Sequence, residues 1–449
     1  MLERIELKSI NYRLWLVLIL TSLIPLIYST TRIHFLGSLP NSWAFSIAAQ
    51  VAWLNVGYEV LSEALLVPLA FILGQVITDN GQFRQRASGS LLITLICYLI
   101  LTGFVLWFTP QLVNAMQQQT ELLNSTVQYI RLESVAILLS SIYAFLSLVL
   151  VLKNEKKALC GLLIAQMVMT ILCDSALVSQ FSFSLQLGVN GIAISNIIVN
   201  SVLAIFALTY LSKVGVSLNP KRINFHQLQW LKEWGIIGWK SGLESFVRNT
   251  AFIVMILQLV NQVQQSGTFW VTNQFIWGWL LLPVLTLGQL VKQDAATNNG
   301  LTSQRVKSYL WLTVGIMLLW LLTAPLWQGF IANVMGVSNA ESVTHLVWLL
   351  VGFYIVFSLN NVIDSYFYGI GRTDLMLYQS LLVNSIFYGG AFILYRMGIF
   401  VPTLDRIAIM FGLGITADAL ITWGLYLVLR RQMNTGLRND GQLVYEYHQ

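Results

Sequence analysis

Runs of about twenty mostly apolar residues, the length needed to cross a bilayer as a helix, recur along all 449 residues. Short polar or basic breaks separate them. The pattern predicts twelve helical spans: residues 12–36, 44–77, 88–108, 127–152, 158–180 and 188–212, then 234–263, 268–292, 308–331, 343–369, 374–396 and 404–430. Several exceed thirty residues, which implies tilt or protrusion rather than additional crossings.

Charge placement tests this count independently. With the N-terminus cytoplasmic, 19 of the 25 basic residues fall in inner segments, among them Arg4, Arg84, Lys153, Lys221, Arg305 and Arg430. The breaks after spans 3, 5, 7 and 9 hold no Lys or Arg beyond Arg131 at the start of span 4. One miscounted helix would scramble this alternation, so both termini are expected in the cytoplasm. The formal net charge of +6 is therefore an orientation signal before it is a sign of an anionic partner. Arg4, Lys8 and Arg13 before the first apolar run imitate a signal peptide. No small-x-small site follows Leu14–Tyr28, so an uncleaved first helix is expected.

Composition narrows the function classes. The chain is 56% hydrophobic and 10% charged, with mean hydropathy +0.70, against about a quarter charged in soluble domains. A soluble enzyme, a nucleic-acid binder and a disordered chain are excluded. The odd number of cysteines (Cys97, Cys160, Cys173) and four isolated histidines give neither a disulfide framework nor a zinc spacing. No nucleotide-binding loop or hydrolase motif is present, so no enzyme activity or cofactor is expected. Active transport would then draw on an ion gradient or a separate subunit.

The longest polar connection, within residues 213–233, divides the chain into an N-lobe (1–212) and a C-lobe (234–449). The halves echo each other: Tyr129–Ala176 and Val347–Leu394 both read as helix, basic turn, helix. Gly191-Ile192-Ala193-Ile194 is answered by Arg406-Ile407-Ala408-Ile409. A duplicated six-helix unit with a site between its lobes is a transporter architecture.

Several strings in order resemble the MATE (multidrug and toxic compound extrusion) family of the MOP flippase superfamily, over nearly the whole chain. Leu36-Gly37 closes span 1, and Pro68 with Gly74-Gln75 closes span 2. Tyr129-Ile130-Arg131 opens span 4 and Gly188-Val189-Asn190-Gly191-Ile192-Ala193-Ile194 opens span 6. Gly369-Ile370-Gly371-Arg372-Thr373 follows span 10. The resemblance implies an all-α membrane fold of two six-helix bundles, a V-shaped cleft, and antiport of organic solutes against Na⁺ or H⁺. The family's site residues carry over in part. Ser29 stands where many members have a span 1 Asp. Thr170 and Asp174 replace an Asn-x-x-x-Asp pair, and Asn196 replaces a Thr. For a second subgroup, the span 7 Glu position falls at Arg248 and the span 10 Asp position near Phe357.

An ionised group at mid-bilayer costs roughly 2.5–3.5 kcal/mol on insertion scales, so deep charges face a partner or a cavity. Asp174 and Thr170 share a helix face. With Asn196 they offer oxygen ligands for Na⁺, with Asp174 the candidate ligand, or a protonatable site. Glu59 and Glu63 repeat that spacing in span 2, a pattern suited to proton exchange, cation capture or a salt bridge to span 7. Lys240, Glu244 and Arg248 form a stripe in span 7, where Arg248 pairs with Glu244 or a span 2 acid. Asp364 in span 10, with Asn360 and Asn361 beside it, and Asp418 in span 12 are further buried acids. Of the aromatic cluster, most belongs to the interfacial belt. Trp277 and Asn273 could instead line a cleft for flat or cationic ligands.

The expected function is export of an amphipathic or cationic solute, a drug or natural product, by antiport with Na⁺ or H⁺. The alternatives are a flippase of lipid-linked or polysaccharide precursors, which calls for a basic cleft, and a non-transporting membrane scaffold. Expected partners are a small-molecule substrate and the bilayer of the cell (inner or plasma) membrane, with the chain a monomer and no nucleic acid bound.

Overall fold

A computed structural model describes residues 10–39, 43–216, 218, 229–297 and 300–439, with side chains to residue 432. Hydrocarbon offers no hydrogen bonds, so each crossing segment must satisfy its own backbone, and the apolar runs fold as helices. In the N-terminal half these are α1 (Tyr12–Gly37), α2 (Ala44–Gly74), α3 (Asn80–Ala115), α4 (Thr120–Leu152), α5 (Lys156–Leu177) and α6 (Val189–Lys213). In the C-terminal half they are α7 (Gln229–Gln262), α8 (Ser266–Leu280 with Leu282–Thr297), α9 (Ser303–Asn333), α10 (Ala340–Gly369), α11 (Thr373–Arg396) and α12 (Leu404–Gln432). Eleven are long and apolar enough to cross a membrane, and α8 makes twelve when its two pieces count as one span. Most of the 213–233 connection expected to link the lobes lies outside the described residues.

Local chemistry sets the helix starts. The Asn11 side chain accepts from the Leu14 N–H, Asp79 from Gly81 and Gln82, and Thr302 from Arg305, each satisfying donors that the first turn leaves unpaired. Among the described residues α8 alone is bent by more than 40°, by 54° at Leu281. Pro283 there lacks an N–H and its ring crowds the preceding turn. The helix also widens to π geometry over Ile276–Leu280, and α7 and α11 do so over Ile253–Leu257 and Val383–Tyr388.

Packing repeats six helices later. In the first half α4 is central, against α2, α3 and α6, and α5 lies on α6 and α1. In the second half α10 is central, against α8, α9 and α12, and α11 lies on α12 and α7. Across the middle, α2 packs on α7 and α1 on α8. The α2–α7 contact is backbone-close. A Cβ on Gly238 would overlap the Ala64 carbonyl, and one on Gly242 the Ala64 Cβ. The Trp234 indole N–H donates to the Leu65 carbonyl at 3.0 Å, so this tryptophan is buried between helices instead of lying in the interfacial belt.

Because the obstacle at Gly238 is backbone, a side chain there cannot be accommodated by a rotamer change. Gly238→Leu is expected to lower stability by about 1–3 kcal/mol, read as a fall in the thermal midpoint of the detergent-solubilised protein. Gly235→Leu, on the same helix with open space around it, should leave the midpoint unchanged.

Candidate functional site

A cavity of about 1710 Å³ runs between α2, α7, α8, α10, α11 and α12. Its two ends differ. Gln50, Trp53, Asn261, Ser266 and Phe269 line one end and are all buried. Phe71, Ile236, Lys240, Thr373 and Asp374 line the other and are exposed. The cavity is therefore open on the face that carries the basic loops and closed on the opposite face.

Neutral amides close it. The Gln50 Nε2 donates to Asn261 Oδ1 at 2.8 Å, and the Asn261 Nδ2 returns a bond to Gln50 Oε1 at 2.9 Å. Asn261 also donates to the Met116 carbonyl at 2.8 Å, and Trp53 donates to Gln50 at 3.1 Å. These bonds tie α7 to α2 and α3 at the closed end. Nothing in the sequence pattern singled out Gln50 or Asn261, because amides at span ends are ordinary until their partners are known.

The lining is mostly apolar, and acids outnumber bases among its charged residues. Glu59, Glu63, Glu244, Asp364, Asp374 and Asp418 face it, against Lys240 and Arg248. Arg248 Nη2 reaches Glu59 at 3.1 Å across the α2–α7 boundary, and its Nη1 lies 3.9 Å from Glu244. The Ser380 hydroxyl donates to Glu244 at 2.8 Å and Ser241 to Glu63 at 3.4 Å. The span 2 pair is thus split between partners: Glu59 meets a guanidinium and Glu63 a hydroxyl.

Deeper in the C-terminal half, Asn360 Nδ2 donates to Asp364 Oδ2 at 2.9 Å and to Asp418 Oδ2 at 3.3 Å, so the two carboxylates lie close together. Thr422 donates to Asp364 Oδ1 at 3.1 Å, and the Gln379 side chain faces Asp418. No cation neutralises this pair by any ion pair among the described residues. The Asn360 Oδ1 and Gln379 Oε1 are buried without a hydrogen-bond partner. Buried acceptors left unsatisfied cost about 1–3 kcal/mol each, and two carboxylates with two spare carbonyl oxygens match the hard-oxygen preference of Na⁺ or could hold a proton. The chemistry of this donor set fits the expected coupling ions.

The N-terminal acid does not offer such a set. Arg32 clamps Asp174 through Nε to Oδ2 at 2.7 Å and Nη2 to Oδ1 at 3.2 Å, with Asp174 fully buried. Both carboxylate oxygens are engaged by one guanidinium, whose positive charge opposes a Na⁺ ion at the same carboxylate. Asn196 does not join Asp174 and Thr170 as expected but donates to Glu133 Oε1 at 2.9 Å. A two-pronged, charge-assisted guanidinium contact outcompetes an amide or hydroxyl at the same carboxylate. Thr170 is buried one turn before Asp174, and none of these residues lines the cavity. Sequence reasoning missed Arg32 and Glu133. The insertion cost applied to Asp174 applies equally to an arginine inside the first apolar run, and that signal was readable.

Other expected residues divide. Asn273 and Trp277 line the cavity. Asn273 donates to the Phe269 carbonyl at 3.0 Å, and Trp277 donates to the Tyr354 hydroxyl at 2.9 Å. Asn361 turns to the Val284 carbonyl of α8 at 3.1 Å, and neither it nor Asn360 is part of the lining.

No family model and no curated protein matches the sequence. Solved structures do. An inward-facing multidrug resistance MATE family transporter of the MOP superfamily superposes with TM-score 0.73 at 15% identity, over 92% of this chain and 95% of that one. The outward-facing conformation of such a transporter gives 0.64 at 15% identity, over 96% of both. A MOP superfamily transporter from Pyrococcus furiosus, described as having a binding pocket of reverse polarity, gives 0.65 at 14% identity over 96% of both. The chain has the MATE fold.

Within this MATE fold, the Arg32–Asp174 pair makes a structural demand. Arg32→Ala strands a buried carboxylate and should cost about 3–5 kcal/mol, seen as loss of monodisperse protein in fluorescence-detected size exclusion. Arg32→Ala with Asp174→Asn should recover most of it. Equal damage from single and double variants would show that the pair does not hold the bundle.

Proposed function

We propose that this chain is a secondary antiporter that exports an organic amphipathic or cationic solute in exchange for Na⁺ or H⁺ by alternating access. The observation that carries this reading is the large cavity between α2 and the C-terminal helices, open at one end only, with a mostly apolar lining whose charged groups are chiefly carboxylates. A one-ended cavity with a hydrogen-bonded seal is one half of an alternating-access cycle, and the MATE fold has been solved in both inward- and outward-facing forms.

The solute would sit among Glu59, Glu244 and the Trp277 face, where carboxylates attract a cation and the indole offers its π surface. A cleft for a pyrophosphate-linked lipid needs basic groups to hold the phosphates, and Lys240 and Arg248 are outnumbered here. That polarity favours a cationic or amphipathic solute over a precursor lipid.

Coupling is assigned to the Asp364–Asp418 pair. These carboxylates border the cavity, carry no guanidinium, and sit beside two unsatisfied amide oxygens. An ion bound there and a cationic solute bound in the cavity repel each other, so either one favours release of the other. Such competition gives coupling when affinities differ between the two open states. Asp174, Thr170 and Asn196 then serve the N-terminal bundle.

In proteoliposomes with imposed Na⁺ or H⁺ gradients and a panel of cationic dyes, Asp364→Asn and Asp418→Asn should each reduce gradient-driven dye movement by tenfold or more. Their elution profile should match that of the unaltered protein. Full gradient-driven movement by both variants would overturn the assignment of the pair. Absence of any gradient-driven movement by the unaltered protein, across dyes and gradients, would overturn the antiporter reading.

A further inference from the structure

Besides the central cavity, the molecule has a second large concavity, a groove of about 980 Å³ between α11 and α12. Its floor is shallow because small residues, Gly390, Ala391 and Ala417, face it. Ile386, Leu394 and Leu413 form its rims and are exposed. The stretch of α11 from Gly389 to Arg396 buries no residue at all, so this end of the helix stands off from the bundle. The same helix is widened by its π segment, Val383–Tyr388, which enters the groove. Among the described residues every lining side chain is apolar except one, Arg406.

Arg406 is unusual in its position. The two arginines Arg396 and Arg406 bracket the α11–α12 turn, on the face opposite the one that gathers 19 of the 25 basic residues. Its acidic neighbour does not neutralise it, since Asp405 lies 3.5 Å from the His345 ring nitrogen of α10. Among the described residues the Arg406 guanidinium makes one hydrogen bond, Nη1 to the Val401 carbonyl at 3.2 Å, and no ion pair. A cation at the end of an exposed apolar groove complements an anionic lipid, with hydrocarbon along the trough and a phosphate against the guanidinium.

We propose that the α11–α12 groove is a binding site for one anionic phospholipid, with an acyl chain laid between Ile386, Leu394 and Leu413 and the headgroup phosphate on Arg406. The apolar trough alone would accept any chain. Arg406 supplies selectivity, because a guanidinium pairs with a phosphate through charge-assisted hydrogen bonds. An uncompensated arginine favours a lipid with net negative charge over a zwitterion, whose own cation competes for the phosphate. Val383 lines both the groove and the central cavity, so the bound chain rests on the wall of that cavity. The proposal needs only that α11 and α12 face lipid, and holds whatever the transported solute is.

The test uses the full-length protein, delipidated in detergent and titrated with phosphatidylglycerol, phosphatidylcholine or diacylglycerol. Bound lipid is read by native mass spectrometry, and stabilisation by thermal shift. Phosphatidylglycerol is expected to bind about tenfold more tightly than phosphatidylcholine, and diacylglycerol more weakly still. Arg406→Gln should remove that preference, Arg406→Lys should retain most of it, and Ala417→Trp, which fills the trough, should remove binding of all three. Raising the salt concentration should weaken the phosphatidylglycerol preference. Equal binding of phosphatidylglycerol and phosphatidylcholine, or a preference unchanged in Arg406→Gln, would overturn the headgroup assignment. Unchanged lipid retention in Ala417→Trp would overturn the groove as the site and leave only general lipid coating.

Discussion

A charge inside hydrocarbon must be matched by a partner, a proton or water, and the arrangement of this molecule follows from how it meets that demand in each half. In the N-terminal bundle a guanidinium meets most of it: Arg32 closes on Asp174 with both prongs, and Asn196 donates to one oxygen of Glu133, whose other oxygen is buried without a partner. In the C-terminal bundle it is left open, with Asp364 and Asp418 sharing one amide donor and no cation. Two bundles with the same helix pairing thus differ in whether a cation is built in beside their acids, and the cavity forms beside the pair that lacks one.

The same asymmetry appears in the backbone. Helices α7, α8 and α11, which wall the cavity, are the ones that carry π segments, and α8 is bent at Leu281. A π turn adds a residue to the ladder and loosens local packing. The interface between the halves is instead rigid where α2 meets α7, since Gly238 and Gly242 bring the helices to backbone contact at Ala64. The closed end uses Gln50 and Asn261, uncharged groups whose bonds can be exchanged for water at small net cost. A charged pair in the same place would be far harder to desolvate and resolvate.

Much of the fold was legible in the linear pattern. The twelve apolar runs coincide with the twelve helical segments to within a few residues at most ends, because span length and backbone satisfaction are properties of the segment itself. The third run was read too short. Asn80–Ala115 continues past the apolar run at both ends, where polar residues such as Arg84, Arg86 and Gln111 are helical and leave no hydropathy signal. The kink of α8 was not legible: Pro283 lies at it, but Pro25, Pro68, Pro110 and Pro325 stand inside helices that continue through them. The site was legible by residue type and not by partner. Glu59, Arg248, Asp364 and Asn360 stood out as costly groups, while Arg32 and Glu133 carry equal cost and escaped notice.

What the sequence determined by itself is the set of membrane helices, their alternation, and which side chains would be expensive to bury. These depend on transfer free energy, a sum over local residues that needs no knowledge of neighbours in space. Only the tertiary structure decided that Asp174 faces a guanidinium and Asp364 a second carboxylate, that Asn196 serves Glu133, and that one end of the cleft is shut. Those outcomes rest on contacts between helices far apart in the chain, such as Arg32 with Asp174 or Gln50 with Asn261. A hydrogen bond or ion pair acts over about 3 Å, so no spacing along one helix can specify it.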